Sequence, residues 1–493
     1  MEPKAGVSLE HLLRALAQNT RVIGPRDKQI TAMTIDSREA RAGSLFVALR
    51  GEHTDGHRFI GDAVARGCEV VVMESLDTLG MTSEQREVTL VVVPDSARAL
   101  SQLADAFYGS PSRDLCLAGI TGTNGKTTTA QMTAAILNAA GMPAGTIGTI
   151  GAHFGAADWP LANTTPLAAQ LHELLAQMRD LGAKAVAMEV SSHALALQRV
   201  SDVRFAVGAL TNVTRDHLDF HKTFDAYASA KRRLFDMAPR CVFNAQDECG
   251  ERWARELRSR KRVVTYAVDA PADLRPSTID VRPDGSSFEL AGQGYTVRIP
   301  GRFNISNALC AIAIARHLDV SDAQSAAGLA SLERVAGRMD HVSAGGVDVI
   351  VDYAHTPDAL ENLLRTLRET ARGRLIVVFG CGGDRDRGKR PQMGSIAARY
   401  ADFSYVTSDN PRTEPPQAII DEILPGVGNA PHEASIDRRA AIHAAVFNAR
   451  PGDVIAIAGK GHENYQIIGT QTLPFDDLAV AQEALLRREG AHP

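Results

Sequence analysis

The segment from Leu115 to Thr129, LCLAGITGTNGKTTT, constrains the fold more than any other part of the chain. An apolar run breaks into three glycines and a lysine, and a helix-forming segment follows. Glycines let backbone N–H groups approach an anion closely, and a helix N-terminus adds a partial positive charge. Ile120 stands five residues before Gly125, so the pattern is GxxGxxGKT rather than GxxxxGKS/T. The pattern predicts a phosphate-binding loop between a strand and a helix.

The residue types in this loop indicate how a nucleoside triphosphate would be held. Lys126 is placed to reach the β- and γ-phosphates, and the Thr127 hydroxyl is placed to ligate Mg²⁺. A glycine-rich turn that only caps a helix is the alternative interpretation. The candidate nucleotide-binding residues in the loop are Gly122, Thr123, Asn124, Gly125, Lys126, Thr127 and Thr128.

Composition excludes several classes of protein. A chain of 493 residues is too long for one core, and its 44% hydrophobic and 23% charged residues are typical of a globular protein. The net charge is −5, and no basic run is interleaved with aromatic residues, so nucleic acid is not expected as a partner.

Neither a leader-like segment nor a stretch of about 20 apolar residues occurs, so no membrane insertion is expected. The six cysteines have no paired spacing and are predicted to be free thiols, as in a reducing, cytoplasmic compartment.

Changes in pattern along the chain predict three α/β domains. Residues 1–107 alternate short helix-like and strand-like pieces, and the turn-rich YGSPSRD follows them. Residues 108–337 contain the loop and apolar runs typical of a mainly parallel sheet buried on both faces. Residues 338–493 repeat one arrangement four times, an apolar run that leads into a polar loop, which predicts a Rossmann-like sheet. Ligands bind beyond the carboxyl ends of such strands, so the four loops predict one crevice.

Several polar residues of the middle region are candidates for a cation site. Glu189 follows the apolar run KAVAM directly and is the best candidate for a metal ligand, because carboxylate oxygens suit hard cations. His217 is ambiguous alone, although Asp216 and Asp219 beside it favour a cation. Lys231 lies in a helical stretch and reads by default as a solvated surface lysine.

The loops of the last region contain charges suited to an amino acid. The guanidinium of Arg412 fits a carboxylate, whereas Asp409 and Glu463 fit an ammonium group. Arg385 beside them favours a substrate with a second, distal carboxylate, because lysine would leave a buried guanidinium unpaired. A proline-stiffened turn is the alternative interpretation of DNPRTEPP.

Ten motifs spread from residue 119 to 465 closely resemble the Mur ligases of bacterial peptidoglycan synthesis. They are TGTNGKTT, MEVSSHAL, NVTRDHLDFH, the lysine segment from Tyr227 to Phe235, GRFNISNAL, GRMD, DYAHTPDAL, GCGGDRDRGKRP, SDNPR and AGKGHE. Residues 36–60 also resemble that family's uridine-nucleotide domain. The resemblance is specific for the members that add the third peptide residue, since DNPR is the version associated with diaminopimelate.

The resemblance implies an ATP-dependent, ADP-forming ligase, and we expect the protein to be a cytoplasmic monomer. It would join meso-diaminopimelate to UDP-N-acetylmuramoyl-L-alanyl-D-glutamate through an acyl phosphate. It implies a uridine-nucleotide domain, a central ATPase-type domain and an amino-acid-binding domain. Catalytic roles fall on Lys126, Glu189, His217 and Lys231, with Lys231 carbamylated to N6-carboxylysine. Glu189 would hold a first Mg²⁺, and His217 and carbamylated Lys231 a second.

The resemblance also implies three sets of binding residues. Further nucleotide contacts are Asn304, Arg338, Asp352 and His355. The muramoyl-dipeptide contacts are Ser37, His53, Asn163, Thr164, Thr165, Ser191 and Arg199. The diaminopimelate contacts are Arg385, Asp409, Asn410, Pro411, Arg412, Gly459 and Glu463.

One position departs from the family pattern, and two other functions compete. Many relatives have Gln two residues before the arginine that matches Arg199, whereas this chain has Leu197 there and Gln198 next to it. Folylpolyglutamate synthase shares the loop, but DNPR and the first 100 residues argue against it. A non-catalytic nucleotide-binding protein should have lost Lys126, Glu189 or Lys231, and all three are present.

Overall fold

A computed structural model describes residues 6–16, 19–51, 54–76, 87–282 and 285–490. The strands are β1 Val7–Ser8, β2 Arg21–Ile23, β3 Gln29–Ile30, β4 Ala32–Thr34, β5 Ser44–Val47, β6 Val70–Met73, β7 Thr89–Val92, β8 Cys116–Thr121, β9 Ala144–Gly148, β10 Gly151–Phe154, β11 Ala157–Trp159, β12 Ala185–Glu189, β13 Val207–Leu210, β14 Arg240–Asn244, β15 Arg262–Tyr266, β16 Thr278–Arg282, β17 Gly285–Leu290, β18 Gln293–Val297, β19 Asp340–Ala344, β20 Val347–Asp352, β21 Leu375–Phe379, β22 Phe403–Thr407, β23 His432–Ser435, β24 Val454–Ala458, β25 Tyr465–Ile468 and β26 Gln471–Pro474.

The helices are α1 Leu9–Leu13, α2 Ile60–Ala65, α3 Ser96–Phe107, α4 Lys126–Ala139, α5 Ala168–Asp180, α6 Ser192–Ala196, α7 Leu218–His221, α8 Phe224–Met237, α9 Glu248–Leu257, α10 Arg302–His317, α11 Asp322–Ser331, α12 Pro357–Thr370, α13 Lys389–Tyr400, α14 Pro416–Val427, α15 Arg438–Asn448 and α16 Asp477–Gly490.

The residues fall into two compact units. Unit 1 comprises Met1–Gly119, Met142–Gly208 and Arg233–Pro239, and unit 2 comprises Ile120–Gly141, Ala209–Arg232 and Arg240–Pro493. The division cuts strands β8 and β13, so each unit holds one part of both strands.

Unit 1 begins with the small α/β module that the sequence predicts. Its five-stranded sheet has the order β2-β7-β6-β5-β4, in which β4 to β7 are parallel and β2 is antiparallel. Leu45 and Val70 are buried in the core of this module, against Leu100 and Leu103 of α3. The Asp95 carboxylate caps α3 by accepting a hydrogen bond from the backbone of the first turn.

The second sheet of unit 1 has the strand order β11-β10-β9-β12-β8-β13. β9 and β12 are parallel, and Glu189 ends β12. Nearby, α5 buries His172 completely, with Nδ1 lying 3.5 Å from Asp105 Oδ1. Burial lowers the pKa of His172 to about 4, so this ring is neutral at physiological pH.

Unit 2 begins with the strand, loop and helix that the glycine pattern predicts. The last residues of β8 lead through the loop into α4, and the end of β13 continues the sheet to β14 and β15. Before residue 300 the chain forms a separate antiparallel sheet of the strands β16 to β18. The almost entirely buried α10 follows.

The second large sheet of unit 2 contains the four predicted strands as neighbours. Its order is β19-β20-β24-β21-β22-β23, and all of its strands except β19 are parallel. The loops after β20, β21, β22 and β24 therefore leave the same edge, as the sequence predicts. A fully buried ion pair joins Arg438 to Asp477, and Arg438 also donates hydrogen bonds to the carbonyl oxygens of Ser408 and Ala458.

All six cysteines are free thiols, as predicted. No described helix is both long and apolar enough to span a membrane.

Candidate functional site

The phosphate-binding loop requires glycine at two positions. Gly122 has a φ of +151° and Gly125 a φ of +84°, a region that side chains with a Cβ rarely adopt. A methyl group at Gly122 would overlap Thr211 Oγ1, and one at Gly125 would overlap Asn307 Oδ1. Both glycines therefore serve the close packing of the loop as well as its conformation.

Two lysines converge on one carbonyl oxygen of this loop. Lys126 Nζ donates hydrogen bonds to the oxygens of Gly122, at 3.0 Å, and Thr123, at 2.8 Å. Lys231 Nζ donates to the same Gly122 oxygen at 2.7 Å and lies 4.5 Å from the centre of the Tyr227 ring. The helical pattern predicts a solvent-exposed position for Lys231. That prediction is wrong, because this residue is only 1% exposed.

The electrostatic surroundings of Lys231 favour the neutral amine. Burial, reinforced by the charge of Lys126, lowers the pKa of Lys231 well below its usual value. Asp216 and Asp247 act in the opposite direction but do not restore it. A neutral amine is a nucleophile, whereas an ammonium group is not.

A cleft with about 700 Å³ of space opens beside the loop in unit 2. Asn124, Gly125 and Thr128 line it together with three other sequence candidates, Asn304, Arg338 and Asp352. The Arg338 guanidinium donates a hydrogen bond to Thr127 Oγ1 at 3.0 Å. We call this space the nucleotide cleft.

Two side chains that the sequence analysis did not select shape the nucleotide cleft. The Asp358 carboxylate accepts a hydrogen bond from Asn124 Nδ2 at 2.7 Å, and burial raises the pKa of Asp358. Asn307 donates to Asn304 Oδ1 at 3.0 Å. Asp358 stands in DYAHTPDAL, so motif membership was the available signal.

A second cleft in unit 2 also has about 710 Å³ of space. It collects most of the predicted amino-acid contacts and places them beside His217, Asp216 and His355. The lining residues are Asp216, His217, Asp219, Tyr353, His355, Gly382, Arg385, Asp386, Lys389, Asp409, Asn410, Arg412, Gly459 and Glu463. We call it the amino-acid cleft. His355 lines this cleft and not the nucleotide cleft, and Pro411 lines neither.

His217 and its neighbours form the acidic wall of the amino-acid cleft. His217 has a φ of +53°, and its Nε2 lies 3.3 Å from Asp216 Oδ2. Burial alone would raise the pKa of Asp216, but His217, His355 and Lys389 hold this pKa far below its usual value. Asp216 is therefore an ionised, buried carboxylate. Burial, together with Lys389, lowers the pKa of His355 to about 4.

The remaining lining of the amino-acid cleft combines a guanidinium with two carboxylates. Arg412 Nη1 donates to Gly383 O at 2.9 Å, and burial followed by the charge of Arg385 lowers the pKa of Arg412. Burial and the charge of Asp409 raise the pKa of Glu463. The wall thus offers both a cation and anions to a ligand, which suits a molecule that carries both charges.

Glu189 is held rigidly in unit 1. It is 1% exposed, and its carboxylate accepts hydrogen bonds from Thr149 N at 2.8 Å and Thr149 Oγ1 at 3.0 Å. A methyl group at Gly148 would overlap this carboxylate.

The predicted dipeptide contacts near Glu189 are largely brought together. Thr165 Oγ1 donates to Glu189 O and accepts from Ser191 N, and Arg199 donates to Thr165 O at 2.9 Å. Thr164 lies 3.2 Å from Thr149, between their hydroxyl oxygens. Asn163 is exposed.

The remaining candidates of unit 1 lie near the N-terminus or at the departure from the family pattern. Ser37 is buried at the start of a 3₁₀ turn, and His53 lies outside the described residues. At the departure, Leu197 is 43% exposed, whereas Gln198 has a φ of +57° and hydrogen-bonds to Asp95.

Within the described ranges, no group of three or more His, Cys, Asp and Glu side chains is arranged to hold a metal ion. Oxygen donors suited to Mg²⁺ are nevertheless present at Thr127, Glu189 and Asp216.

Sequence profiles of one family match most of the chain. They are described as Mur ligase family, catalytic domain, over residues 29–108, Mur ligase middle domain, over residues 120–315, and Mur ligase, glutamate ligase domain, over residues 337–461. The chain belongs to the Mur ligase family. The resemblance inferred from the ten motifs is therefore confirmed.

Individual Mur ligases match nearly the whole chain. A UDP-N-acetylmuramoyl-L-alanyl-D-glutamate–2,6-diaminopimelate ligase from Syntrophomonas wolfei is 44% identical over 478 residues, covering 94% of this chain and 96% of its own. A solved structure of an enzyme with the same name has a TM-score of 0.67 and 30% identity, covering 98% of this chain and 99% of that one. The predicted α/β fold with several domains is confirmed.

The fold extends beyond the Mur ligases. A structure of Mycobacterium tuberculosis folylpolyglutamate synthase complexed with ADP and AMPPCP has a TM-score of 0.61 and 18% identity, covering 73% of this chain and 92% of that one. At this identity the likeness concerns the fold alone.

Proposed function

We propose that this Mur ligase joins meso-diaminopimelate to UDP-N-acetylmuramoyl-L-alanyl-D-glutamate and converts ATP to ADP and phosphate. The observation that supports this most strongly is the amino-acid cleft. There Arg385 and Arg412 lie with Asp409 and Glu463 in one space, which His217 also lines. The relative from Syntrophomonas wolfei that is named as a diaminopimelate ligase is 44% identical to this chain over 478 residues.

The charges of the amino-acid cleft explain the choice of amino acid. Diaminopimelate carries two ammonium and two carboxylate groups, so one end can react while the other meets both signs of charge. Lysine lacks the distal carboxylate and would leave the partly buried guanidinium of Arg412 with backbone acceptors but no carboxylate partner from the substrate, at a cost of about 1–3 kcal/mol. By this reasoning Arg385 and Arg412 bind the distal carboxylate, and Asp409, Asn410 and Glu463 bind the distal ammonium, with Pro411 and Gly459 shaping the backbone.

The reaction needs positioning and charge stabilisation rather than a covalent enzyme intermediate. An oxygen of the D-glutamyl γ-carboxylate attacks the γ-phosphorus, and ADP leaves. The amine of diaminopimelate then attacks the acyl carbon, loses a proton, and phosphate leaves. Lys126 and the loop backbone would hold the transferred phosphoryl group, and Asn304, Arg338 and Asp352 the rest of the nucleotide.

Mg²⁺ would neutralise phosphate charge during transfer. We assign its ligands to Thr127 and Glu189, and to His217 with Lys231 as a carbamate. The lowered pKa of the buried Lys231 amine fits this assignment, because the neutral form of an amine can add to CO₂ with loss of one proton and become an anionic oxygen donor.

Other features of the proposal concern unit 1 and the whole chain. Asn163, Thr164, Thr165, Ser191 and Arg199 would bind the muramoyl-dipeptide, and Ser37 and His53 the uridine nucleotide. We place the domain boundaries at residues 107 and 337, and we propose that the enzyme is a cytoplasmic monomer. We further propose that the last domain closes toward the middle one about the region near Gly337 when nucleotide binds.

Phosphate release tests this function. The purified protein is given ATP, Mg²⁺ and the UDP-muramoyl dipeptide, with diaminopimelate, with lysine, or with neither. We expect release only with diaminopimelate. Release with lysine instead would contradict the assignment of the amino-acid cleft. If the protein binds ATP but releases no phosphate with either amino acid, the ligase reaction is contradicted.

A further inference from the structure

Lys460 is a fully buried lysine that the proposed function has not used. It follows β24 directly, between Gly459, with a φ of +122°, and Gly461, with a φ of +53°. Its Nζ donates hydrogen bonds to Asn410 Oδ1 at 2.9 Å and to Tyr465 O at 2.7 Å. An unpaired ammonium group is costly to bury, so these partners and nearby charges must compensate it.

Two carboxylates of the amino-acid cleft provide the compensating charge. Lys460 Nζ lies 3.4 Å from Asp409 Oδ1 and 3.6 Å from Glu463 Oε2. Asp409 Oδ1 is buried and accepts no hydrogen bond from the described residues. The Lys460 ammonium therefore stands between the two side chains that we assigned to the substrate's distal ammonium.

Lys460 also fixes the orientation of Asn410. An ammonium group donates hydrogen bonds and accepts none, so the amide oxygen of Asn410 must face Lys460. That oxygen accepts a second hydrogen bond from Ile467 N at 3.0 Å. The amide nitrogen is thereby turned to Glu463, and it donates to Oε2 at 2.8 Å. The contacts run from Lys460 through Asn410 to one carboxylate oxygen of Glu463.

The same charge acts on the ionisation of the pair. Burial alone would raise the pKa of Asp409, but Lys460, followed by Arg438, lowers it below its usual value. Lys460 is thus the largest of the nearby charges that favour the ionised form of Asp409 beside Glu463.

We propose that Lys460 is a positioning residue of the amino-acid cleft. Its charge offsets the repulsion between Asp409 and Glu463, and its hydrogen bond to Asn410 fixes the Glu463 carboxylate, so that both carboxylates are preset for the distal ammonium of the amino-acid substrate. This inference rests on the proposed function. It assigns to Lys460 no contact with the substrate or with the reacting atoms.

The test replaces the charge while keeping the aliphatic chain. Steady-state kinetics of Lys460→Met should show a KM for diaminopimelate raised at least about 30-fold, with the KM for ATP unchanged within twofold and kcat lowered less than tenfold. Asn410→Asp keeps an oxygen facing Lys460 but removes the donor to Glu463, and it should raise the same KM. The effects of the two substitutions should be less than additive, because they act through one chain of contacts.

Arg374→Met is the matched control. Arg374 forms a half-buried ion pair with Asp453 at 2.7 Å, and the two residues precede β21 and β24, at the opposite ends of the strands. This variant should lose stability without a change in the KM for diaminopimelate.

An unchanged KM for diaminopimelate in folded Lys460→Met, or equal rises in the KM of every substrate, would overturn the proposal. If Lys460→Met does not fold, an unchanged KM in Asn410→Asp overturns it instead. Wild-type protein that releases no phosphate with diaminopimelate would refute the proposed function. An active wild type together with an unchanged KM for diaminopimelate in the variant would refute only the role of Lys460.

Discussion

A single methyl group at Gly148 should displace the Glu189 carboxylate without changing any charge. The added Cβ would overlap that carboxylate, which accepts two hydrogen bonds from Thr149. Hydrogen bonds to charged groups contribute about 1.5–3 kcal/mol each, so losing both removes about 3–6 kcal/mol of local stabilisation. Partial rearrangement recovers some of this, and we expect Gly148→Ala to lower the free energy of unfolding by about 3 kcal/mol.

The effect on catalysis follows from the role proposed for Glu189. A carboxylate that has left its two donors no longer presents its oxygens to Mg²⁺. If about 3 kcal/mol of transition-state stabilisation is lost, phosphate release falls about 100-fold. The assay is phosphate release against Mg²⁺ concentration, with Glu189→Ala as the fully disabled reference and chemical denaturation as the stability measurement.

Gly61→Ala is the control, because a Cβ at Gly61 meets no atom within 4 Å and lies in helix α2. It should keep full activity and lose no stability. Turnover within threefold of wild type in Gly148→Ala, together with an inactive Glu189→Ala, would refute the placement of this carboxylate. Equal losses in Gly148→Ala and Gly61→Ala would refute the steric argument.

Three further predictions concern other buried charges. Lys231→Ala should abolish phosphate release, bicarbonate should not restore it, and a small carboxylate should restore it in part; unchanged turnover would contradict the carbamate role. Since burial holds the pKa of His172 at about 4 against its ordinary 6.5, only the unfolded chain binds this proton between these values. Stability should therefore fall as pH drops from 6.5 to 4, by up to about 3 kcal/mol, and denaturation of His172→Leu should lack this part of the slope. Arg438→Met should destabilise the protein by about 3–5 kcal/mol, because it leaves Asp477 buried and unpaired. The control Arg439→Met breaks a half-exposed ion pair and should change stability by less than about 1 kcal/mol. Similar unfolding midpoints for these two variants would contradict this prediction.

The order of strands and loops was predictable because local pattern specifies it. The apolar run before Gly119 forms β8, and the segment from Lys126 forms α4, as the glycine loop between them requires. The four apolar runs of the last region are neighbouring strands in one sheet. They could be predicted as strands because parallel strands buried on both faces appear in a sequence as continuous apolar runs. The crevice at their carboxyl ends followed from topology alone.

The sequence could not predict which distant segments of the chain pack against a given side chain and bury it. Lys231 lies in α8, where helical spacing cannot reveal that the phosphate-binding loop closes over it. Lys460 was visible in AGKGHE directly after an apolar strand, but its burial depends on loops after β22 and β24 that only the folded sheet brings together. The family resemblance gave Lys231 a role and gave Lys460 none.

The carbonyl oxygen of Gly122 accepts hydrogen bonds from Nζ of both Lys126 and Lys231, so nucleotide binding at Lys126 and any change at Lys231 share one acceptor. When a triphosphate draws Lys126 away, the remaining amine keeps the oxygen to itself. Carboxylation of Lys231, as proposed above, would in turn alter the hydrogen bond that Lys231 makes to this oxygen, and Lys126 would remain as its other donor. Linkage is reciprocal, so whatever change in nucleotide affinity follows carboxylation must be matched by the same change in carboxylation when nucleotide binds. If Lys231 is carboxylated as proposed, dissolved carbon dioxide and ATP would therefore be linked through this one acceptor.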